Sequence, residues 1–289
     1  MKILVTGADG QLGRCLQDQL ARTQHTWIAC NRDSLNITDA LAVNAKANDF
    51  KPDVIINAAA YTAVDKAESD EENAWAINAH AVGYLAAAAN LVGARLLHIS
   101  TDYVFDGSAT SPYKESDPVC PLGVYGASKL AGEQAAATAK RFCVVRTAWV
   151  FSEYGNNFLK TMLRLAASRP ELSVVADQIG TPTYAGDLAA ALIAIAEKAT
   201  PSEVYHFSGG RSCSWYEFAE AIFSVADKEL NSFTTPTVHP IGTSDYPTPA
   251  KRPAYSVLDD SSLSHYVAGA VGDWQEALPL VIKRVATQD

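Results

Sequence analysis

Tyr125 and Lys129 are the two side chains of this sequence that are best suited to proton transfer. They lie four residues apart where a helix is predicted to begin, and residues at that spacing share one face of a helix. A Lys ammonium beside a Tyr hydroxyl stabilises the phenolate, so we expect it to lower the Tyr pKa from about 10 towards neutrality. The pair would then act as an acid at working pH. The same spacing is typical of a solvated helix surface, so its meaning depends on the elements around it.

A strand, a glycine-rich loop and a helix follow one another at the start of the sequence. Residues 2–6 are apolar, and an amphipathic stretch begins near Gln11. Between them, Gly7, Gly10 and Gly13 allow a tight turn and close approach of the backbone to a pyrophosphate, whose negative charge a helix N-terminus attracts. An ordinary turn between a strand and a helix is the alternative. The spacing G-x-x-G-x-x-G resembles that of the extended short-chain dehydrogenases/reductases.

The end of the second predicted strand bears on the choice of cofactor. At this place in dinucleotide-binding folds an acidic residue binds a ribose 2′-hydroxyl, whereas an Arg accommodates a 2′-phosphate. The strand at residues 26–30 ends in Cys30, and Arg32 is close by. This favours NADPH, with NADH as the alternative cofactor; otherwise Arg32 is a solvated loop residue.

Later predicted strands also end in residues that could contact a ligand. Small residues at 58–60 follow the third strand and would let a flat cofactor lie against the backbone at the carboxyl edge of the sheet. Thr101 follows the fourth strand, and its hydroxyl is suited to bind a substrate carbonyl. Trp149 follows the fifth strand and is expected either to stack on a ring or sugar face or to pack in the core. His98, inside the fourth strand, is predicted to be a core residue.

Composition and charge disfavour several classes of function. The 289 residues carry a formal net charge of −9, which disfavours nucleic-acid binding because phosphate backbones require basic surfaces. No apolar run is long enough to cross a membrane, and residues 1–7 are typical of a buried strand rather than a signal peptide. Five scattered cysteines favour free thiols in a reducing compartment. Because the histidines are not clustered either, we expect a soluble, cytoplasmic protein without a catalytic metal.

The order of the predicted elements indicates an α/β fold. Strands and helices alternate regularly up to about residue 150, which predicts a doubly wound, Rossmann-type parallel sheet. We assign residues 1–150 to a dinucleotide-binding domain and residues 151–289 mostly to a smaller C-terminal substrate-binding lobe. Segments of that lobe are expected to return to the main sheet. A long helical pattern runs from about Glu71 to Val92, and a further helix is predicted to begin near Ser214, a good N-cap.

Several separate segments resemble the dTDP-4-dehydrorhamnose reductases, a family of extended short-chain dehydrogenases/reductases. Besides the glycine loop, the similar segments are residues 57–68, 100–107, 125–133, 177–183 with 187–188, and 246–259, in the family's order. The resemblance implies that Thr101, Tyr125 and Lys129 form the catalytic set, and that Thr101, Asp102 and Trp149 contact the substrate. Together with the observations above, it predicts cofactor contacts at Gly7, Gly10, Gln11, Leu12, Gly13, Arg32, Asn36, Ile37, Ala58, Ala60, Tyr61, Thr62, Tyr125 and Lys129.

The resemblance also implies a reaction. Hydride from NADPH or NADH would reduce the 4-keto group of dTDP-4-dehydro-β-L-rhamnose to dTDP-β-L-rhamnose, the last step of dTDP-L-rhamnose biosynthesis. Tyr125 would donate the proton, Lys129 would lower the Tyr125 pKa and bind the nicotinamide ribose, and Thr101 would orient the ketone. The expected partner is a small nucleotide sugar, and a homodimer is the assembly to consider.

Some positions have a second interpretation. Asn36 stands where the family commonly has Asp, so it keeps a hydrogen-bonding side chain without the charge. Cys15 stands where some relatives carry an acidic residue implicated in a magnesium-linked dimer, so Mg²⁺ is not predicted. Lys251 and Arg252 are interpreted as part of a solvated turn, with contact to a nucleotide diphosphate as the alternative.

Two other functions fit the same sequence. A nucleotide-sugar epimerase or dehydratase on this fold would hold NAD tightly and consume no NADPH. A regulatory subunit without catalytic activity would keep the fold to bind a partner, and the intact Tyr125 and Lys129 count against it.

Overall fold

A parallel β-sheet forms the centre of the computed structural model, which describes residues 1–198, 200–267 and 272–287. In chain order the strands are β1 (Lys2–Thr6), β2 (Thr26–Cys30), β3 (Val54–Asn57), β4 (Arg95–Thr101), β5 (Phe142–Thr147), β6 (Val150–Phe151), β7 (Glu171–Val175), β8 (Ile179–Gly180), β9 (Thr183–Tyr184), β10 (Val204–His206), β11 (Cys213–Ser214) and β12 (Thr237–Ile241). The main sheet has the order β10-β5-β4-β3-β1-β2, and each neighbouring pair is parallel. The predicted α/β fold with a Rossmann-type parallel sheet is confirmed.

Helices cover both faces of this sheet. In chain order they are α1 (Gln11–Leu20), α2 (Ala40–Phe50), α3 (Val64–Ala67), α4 (Glu71–Trp75), α5 (Ala81–Val92), α6 (Val124–Ala136), α7 (Phe158–Ala166), α8 (Ala185–Glu197), α9 (Trp215–Glu229), α10 (Ser261–Ser264) and α11 (Trp274–Ala286). Helices α1 and α8 contribute to the apolar core on one face, and α2, α5 and α6 contribute to the core on the other. Within the described residues, no helix is both long and apolar enough to span a membrane.

The main strands are mostly apolar on both faces because both faces of the sheet are covered. In β1, Ile3 and Val5 belong to the core on the α1 side, whereas Leu4 belongs to the core on the α2 side. Successive side chains of a strand point to opposite faces, so both sets are buried. Full burial of one such side chain stabilises the fold by about 1.5–3 kcal/mol.

The strand order reverses at β1, which pairs with β2 along one edge and with β3 along the other. In open α/β sheets, ligands bind outside the carboxyl ends of the strands at such a reversal. The segments Gly7–Gly13 and Ala58–Thr62 follow β1 and β3 at this point. Thr101 ends β4, the next strand of the sheet. The topology therefore places the predicted cofactor and catalytic segments at one edge.

The later part of the chain builds a further apolar core around α7, α9 and α11, with Phe218 and Trp274 at its centre. Helix α9 starts at the predicted N-cap, Ser214, whose hydroxyl accepts from the Glu217 N–H while the Glu217 carboxylate accepts from the Ser214 N–H. This capping box fixes the first residue of the helix, Trp215, at the edge of the site.

One predicted helix is more complex than expected. The stretch from 71 to 92 was predicted to be one regular helix, but a π turn at Ala76–His80 separates α4 from α5. Single π turns of this kind often occur at functional sites, because they redirect side chains. Here the turn contains the buried side chain of Asn78.

Candidate active site

The three predicted catalytic side chains meet at the wall of a cavity of about 620 Å³. Tyr125 and Lys129 lie in the first two turns of α6, and Thr101 is the last residue of β4. The Thr101 side chain lies beside that of Tyr125, and Lys129 Nζ donates to the carbonyl of Ile99 at 2.5 Å. The start of α6 therefore places a phenol and an amine beside the carboxyl end of β4.

Burial dominates the protonation of this cluster. It raises the pKa of Tyr125 to about 12, while the neighbouring Thr101 side chain acts in the opposite direction. It lowers the pKa of Lys129 to about 8, against the attraction of the Glu133 carboxylate one helical turn away. The expectation that Lys129 brings the Tyr125 pKa down towards neutrality is wrong in this structure, because burial raises the pKa of the phenol and Lys129 is not among the groups that lower it. Tyr125 therefore keeps its proton at neutral pH.

Asp102 places a buried carboxyl group at the same wall, where it is 2% exposed. Its Oδ1 accepts from the Thr101 hydroxyl at 3.0 Å, and its Oδ2 has no hydrogen-bond partner among the described residues. Burial raises the Asp102 pKa to about 6, although the Thr101 hydroxyl acts against this. Thr147 Oγ1 is likewise buried beside the cavity without a partner in the described part of the chain. A polar ligand could satisfy both atoms.

Trp149 lies at the cavity with an unusual backbone, at φ 48°. Its indole stacks on that of Trp215, with ring centroids 3.5 Å apart and ring planes 7° from parallel. Gly180 gives it room, since a Cβ there would lie 2.4 Å from an indole carbon. The ring thus packs on Trp215 and also borders the cavity, and its stacking on a ring or sugar face of a ligand stays a prediction.

The glycine loop has the shape that a dinucleotide phosphate requires. Gly7 adopts φ 73°, and a Cβ added to it would lie 2.6 Å from the backbone nitrogen of Ala59. A Cβ on Gly13 would lie 2.1 Å from the Gly7 carbonyl oxygen, so helix α1 packs tightly against the loop. Gly10 is the N-cap of α1 and has no side chain to occupy the helix N-terminus. The N-terminal N–H groups are thus suited to bind an anion, so these residues fit a dinucleotide cofactor.

The segment that follows β3, residues 58–62, packs against the glycine loop. Ala58, Ala60 and Thr62 border the cavity, whereas Tyr61 is turned away and donates its hydroxyl hydrogen to Asp70 at 2.9 Å. The Asn78 amide in the π turn accepts from the Tyr61 N–H and donates to the Tyr61 carbonyl. The irregular helix therefore holds the small-residue segment in place.

Most of the predicted site residues line the cavity. Those on its wall are Gly10, Gln11, Leu12, Ala58, Ala60, Thr62, Thr101, Asp102, Tyr125, Lys129 and Trp149. Those outside the lining are Gly7, Gly13, Arg32, Asn36, Ile37 and Tyr61. Of the second group, Gly7 and Gly13 shape the loop itself.

The positions predicted to contact adenosine lie beyond this cavity, after β2. Arg32 is exposed and forms no ion pair with a described residue. Asn36 Oδ1 accepts from the Thr38 N–H and hydroxyl, so its side chain closes a local turn. Ile37 is 7% exposed and belongs to the core beneath the turn. Contact of these residues with a cofactor stays a prediction.

Gln11 uses its side chain for a purpose that the sequence does not indicate. Its Oε1 accepts from the Ser152 hydroxyl at 3.0 Å and from Asn157 Nδ2 at 2.9 Å. These bonds tie the glycine loop to the segment between β6 and α7, which also borders the cavity at Gly155, Asn156 and Asn157. The backbone of Gln11, rather than its side chain, is therefore the part suited to bind a cofactor.

No group of three or more His, Cys, Asp or Glu side chains within the described residues is arranged to hold a metal ion. Cys15 is buried, and burial raises the pKa of its thiol, with Glu153 and Asp18 adding to the effect. A neutral, buried thiol is a poor metal ligand.

Comparison with known proteins identifies the family. The family model described as RmlD substrate binding domain matches residues 1–287. A dTDP-4-dehydrorhamnose reductase of Aggregatibacter actinomycetemcomitans is 49% identical, over 96% of this chain and 97% of that protein. The chain belongs to the dTDP-4-dehydrorhamnose reductase family. A second member, from Burkholderia thailandensis, is 45% identical over the full length of both proteins.

Solved structures of the same family share the whole fold. A dTDP-4-dehydrorhamnose reductase of Clostridium acetobutylicum superposes with a TM-score of 0.92 at 44% identity and covers all of both chains. One from Bacillus anthracis, solved in complex with NADP, has a TM-score of 0.92 at 39% identity over 98% of both chains. The UDP-glucose 4-epimerase of Thermus thermophilus, with a TM-score of 0.84 at 20% identity, shares the fold alone.

A buried polar network that the sequence did not predict supports the site in this family member. The carboxylate of Glu133 binds the guanidinium of Arg146 through two bonds of 2.9 and 2.7 Å and accepts from the Ser100 hydroxyl at 2.5 Å. His98, predicted to be a core residue, is fully buried; Nδ1 is bonded to Asn57, and Nε2 has no described partner. Glu133 and Arg146 are charged residues in segments of mostly apolar or small residues, and this pattern could have indicated that they are buried. The sequence alone does not show that they bind each other.

Proposed function

We propose that this chain reduces the 4-keto group of dTDP-4-dehydro-β-L-rhamnose to dTDP-β-L-rhamnose with hydride from NADPH, the last step of dTDP-L-rhamnose biosynthesis. The observation that carries the proposal is the convergence of Thr101, Tyr125 and Lys129 at one cavity that the glycine loop also borders. Membership of the reductase family supports the choice of substrate.

In this proposal each side chain has one role. NADPH, when bound, supplies the hydride to the carbonyl carbon. Thr101 orients the substrate ketone by turning its one hydroxyl hydrogen from Asp102 Oδ1 to the ketone oxygen, and Tyr125 gives its proton to the oxygen anion that develops there. A pKa of about 12 suits this step, because Tyr125 stays protonated until a more basic alkoxide forms. Lys129 places an ammonium beside the reacting groups at neutral pH.

The proposed cofactor is NADPH rather than NADH. The second strand ends in Cys30 without an acidic residue to bind a ribose 2′-hydroxyl, and the exposed Arg32 follows it. If Arg32 binds a 2′-phosphate, Arg32→Ala should weaken NADPH binding about tenfold or more and leave NADH binding nearly unchanged. Fluorescence titration with the two cofactors measures this, and equal losses for both would contradict the assignment.

The substrate is tested by following NADPH oxidation at 340 nm with dTDP-4-dehydro-D-glucose, with and without a 3,5-epimerase. Turnover that depends on the epimerase supports the rhamnose route. Turnover without it indicates another keto sugar, and tightly bound NAD with no net oxidation indicates an epimerase or dehydratase.

The remaining assignments are proposals of the same kind. Residues 1–150 would bind the dinucleotide, and residues 151–289 would form most of the substrate-binding lobe, with β10 contributing to the main sheet. We further propose a cytoplasmic location and a homodimer, which gel filtration with light scattering would test.

A further inference from the structure

Helix α6, which carries Tyr125 and Lys129, begins without a cap of its own. Its N-cap residue is Gly123, in extended backbone at φ −153° and ψ 178°, and glycine has no side chain to accept from the first N–H groups. Four N–H groups at a helix start lack partners inside the helix. One of them, the N–H of Val124, instead donates to Oε1 of Glu68 at 2.9 Å. The cap therefore comes from a residue more than 50 positions earlier in the chain.

Gly123 and Glu68 fit each other. A Cβ added to Gly123 would lie 2.5 Å from Glu68 Oε1, so any other residue at this position requires the Glu68 carboxylate to shift. A carboxylate at this end also interacts favourably with the helix dipole. The extended backbone of Gly123 is one that any residue can adopt, so space for Glu68 explains the glycine better than backbone strain does.

Glu68 belongs to the segment that borders the cofactor side of the cavity. It follows α3, which continues from the small-residue segment at 58–62. On α3, the carboxylate of Asp65 binds the guanidinium of Arg252 through two bonds of 2.9 Å. The carboxylate that caps α6 thus follows a short helix that is anchored to Arg252.

We propose that Glu68 is a positioning residue that fixes the first turn of α6 and thereby the hydroxyl of Tyr125. Tyr125 is the second residue of the helix, so fraying of this turn displaces it directly. Lys129 lies one turn further on and keeps its bond to the Ile99 carbonyl. The inference rests on the proposed reductase function for its effect on turnover, whereas the cap itself can be measured without turnover.

The first test compares Glu68→Ala with Glu72→Ala, a nearby exposed carboxylate with no hydrogen bond or ion pair to the described residues. Loss of a helix N-cap lowers the equilibrium constant for forming the capped turn by a factor on the order of five to ten. Glu68→Ala should therefore lower kcat about five- to tenfold, with the Kd for NADPH within about twofold of wild type. Amide hydrogen exchange in the segment 123–128 should become faster by a similar factor, and Glu72→Ala should change neither.

The second test restores the cap from the helix itself. Gly123→Asp in the Glu68→Ala background places a carboxylate at the N-cap, where Asp is among the preferred residues. It should restore most of kcat and slow amide exchange again, whereas Gly123→Ala in the same background should restore neither. In the wild-type background, Gly123→Ala should displace the Glu68 carboxylate and reproduce the Glu68→Ala loss.

The outcomes separate this inference from the proposed function. Normal amide exchange at 123–128 in Glu68→Ala overturns the inference, whatever the substrate is. Normal kcat in that variant, with faster exchange, also overturns it, because the first turn would then not control turnover. An inactive wild-type protein would contradict the proposed function alone, and exchange would still decide whether Glu68 caps the helix.

Discussion

Tyr125 is the residue on which the proposed chemistry depends most directly. Its ring packs edge-on against Tyr103, with centroids 5.4 Å apart, and a Phe can keep this contact. Tyr125→Phe removes only the hydroxyl, so we expect kcat to fall by about 10²–10⁴ as for the loss of a general acid. The Kd for NADPH, measured by fluorescence titration, should stay within about threefold. Near-normal turnover would show that another group delivers the proton.

Lys129 shows the cost of placing a charge inside the site. It is 2% exposed, and the drop in its pKa from 10.5 to about 8 corresponds to about 3 kcal/mol of unfavourable burial. This destabilisation of the native state has its full size at pH 7, where Lys129 is protonated in both the native and the unfolded chain. It shrinks as the pH rises from about 8, since the native state then binds fewer protons than the unfolded state.

We therefore predict that Lys129→Met stabilises the protein while abolishing most activity. At pH 7 the free energy of unfolding should rise by about 1–3 kcal/mol, the lower value allowing for the lost bond to the Ile99 carbonyl. The gain should be smaller at pH 9.5, and urea denaturation at both pH values measures it. Lys140→Met, at an exposed position, serves as the control and should show no such pH dependence. A destabilised Lys129→Met would mean that the lysine contributes to folding.

At the scale of elements, α6 is joined to the sheet by one buried ion pair. Glu133 and Arg146 are 5% and 4% exposed, and the same carboxylate binds Ser100, the residue next to Thr101. Removing one partner of a buried pair leaves an uncompensated charge, whereas replacing both costs less. Glu133→Gln should therefore lower the free energy of unfolding by about 3–5 kcal/mol.

The double variant Glu133→Gln/Arg146→Met provides the matched comparison. It removes both charges and should be more stable than Glu133→Gln alone, as measured by urea denaturation. Ser100→Ala removes only one hydrogen bond and should cost about 1 kcal/mol. If the double variant is the least stable of the three, the pair contributes more to folding than its desolvation costs.

At the scale of the whole molecule, patterns local in sequence predicted the fold well. Apolar runs bounded by glycine and small residues gave the parallel strands, and Ser214 gave the start of α9, because such signals depend on neighbours in the chain. That Thr101 and Tyr125 act together was implied by the family resemblance, and both side chains line one cavity.

Features that depend on distant contacts could not be predicted. Arg252 was interpreted as part of a solvated turn, and this is wrong, because it binds Asp65, nearly 190 residues earlier in the chain. The stack of Trp149 on Trp215 joins two elements whose relative position only the folded chain defines. The raised Tyr125 pKa likewise reflects burial, which the spacing of Tyr and Lys does not report.

The last helix, α11, is tied to the site by a long-range ion pair. Arg284 donates to Glu153 Oε1 at 2.5 Å, and Glu153 is 1% exposed at the start of the segment whose Asn157 binds Gln11. Arg284→Met leaves this buried carboxylate without its cation. We expect the free energy of unfolding to fall by about 2–4 kcal/mol, below the cost for a fully buried pair because Arg284 is partly exposed. The Kd for NADPH should rise several-fold, since the segment borders the cavity.

The neighbouring Lys283 is the matched control for this prediction. It forms an ion pair with Glu229 at 2.7 Å, but its side chain is 59% exposed, so Lys283→Met should change stability by less than about 1 kcal/mol. Urea denaturation and fluorescence titration with NADPH should therefore separate the two variants, although both remove one charge from the same helix. Equal effects would mean that α11 contributes through its apolar face alone and that the Arg284–Glu153 pair does not couple it to the site.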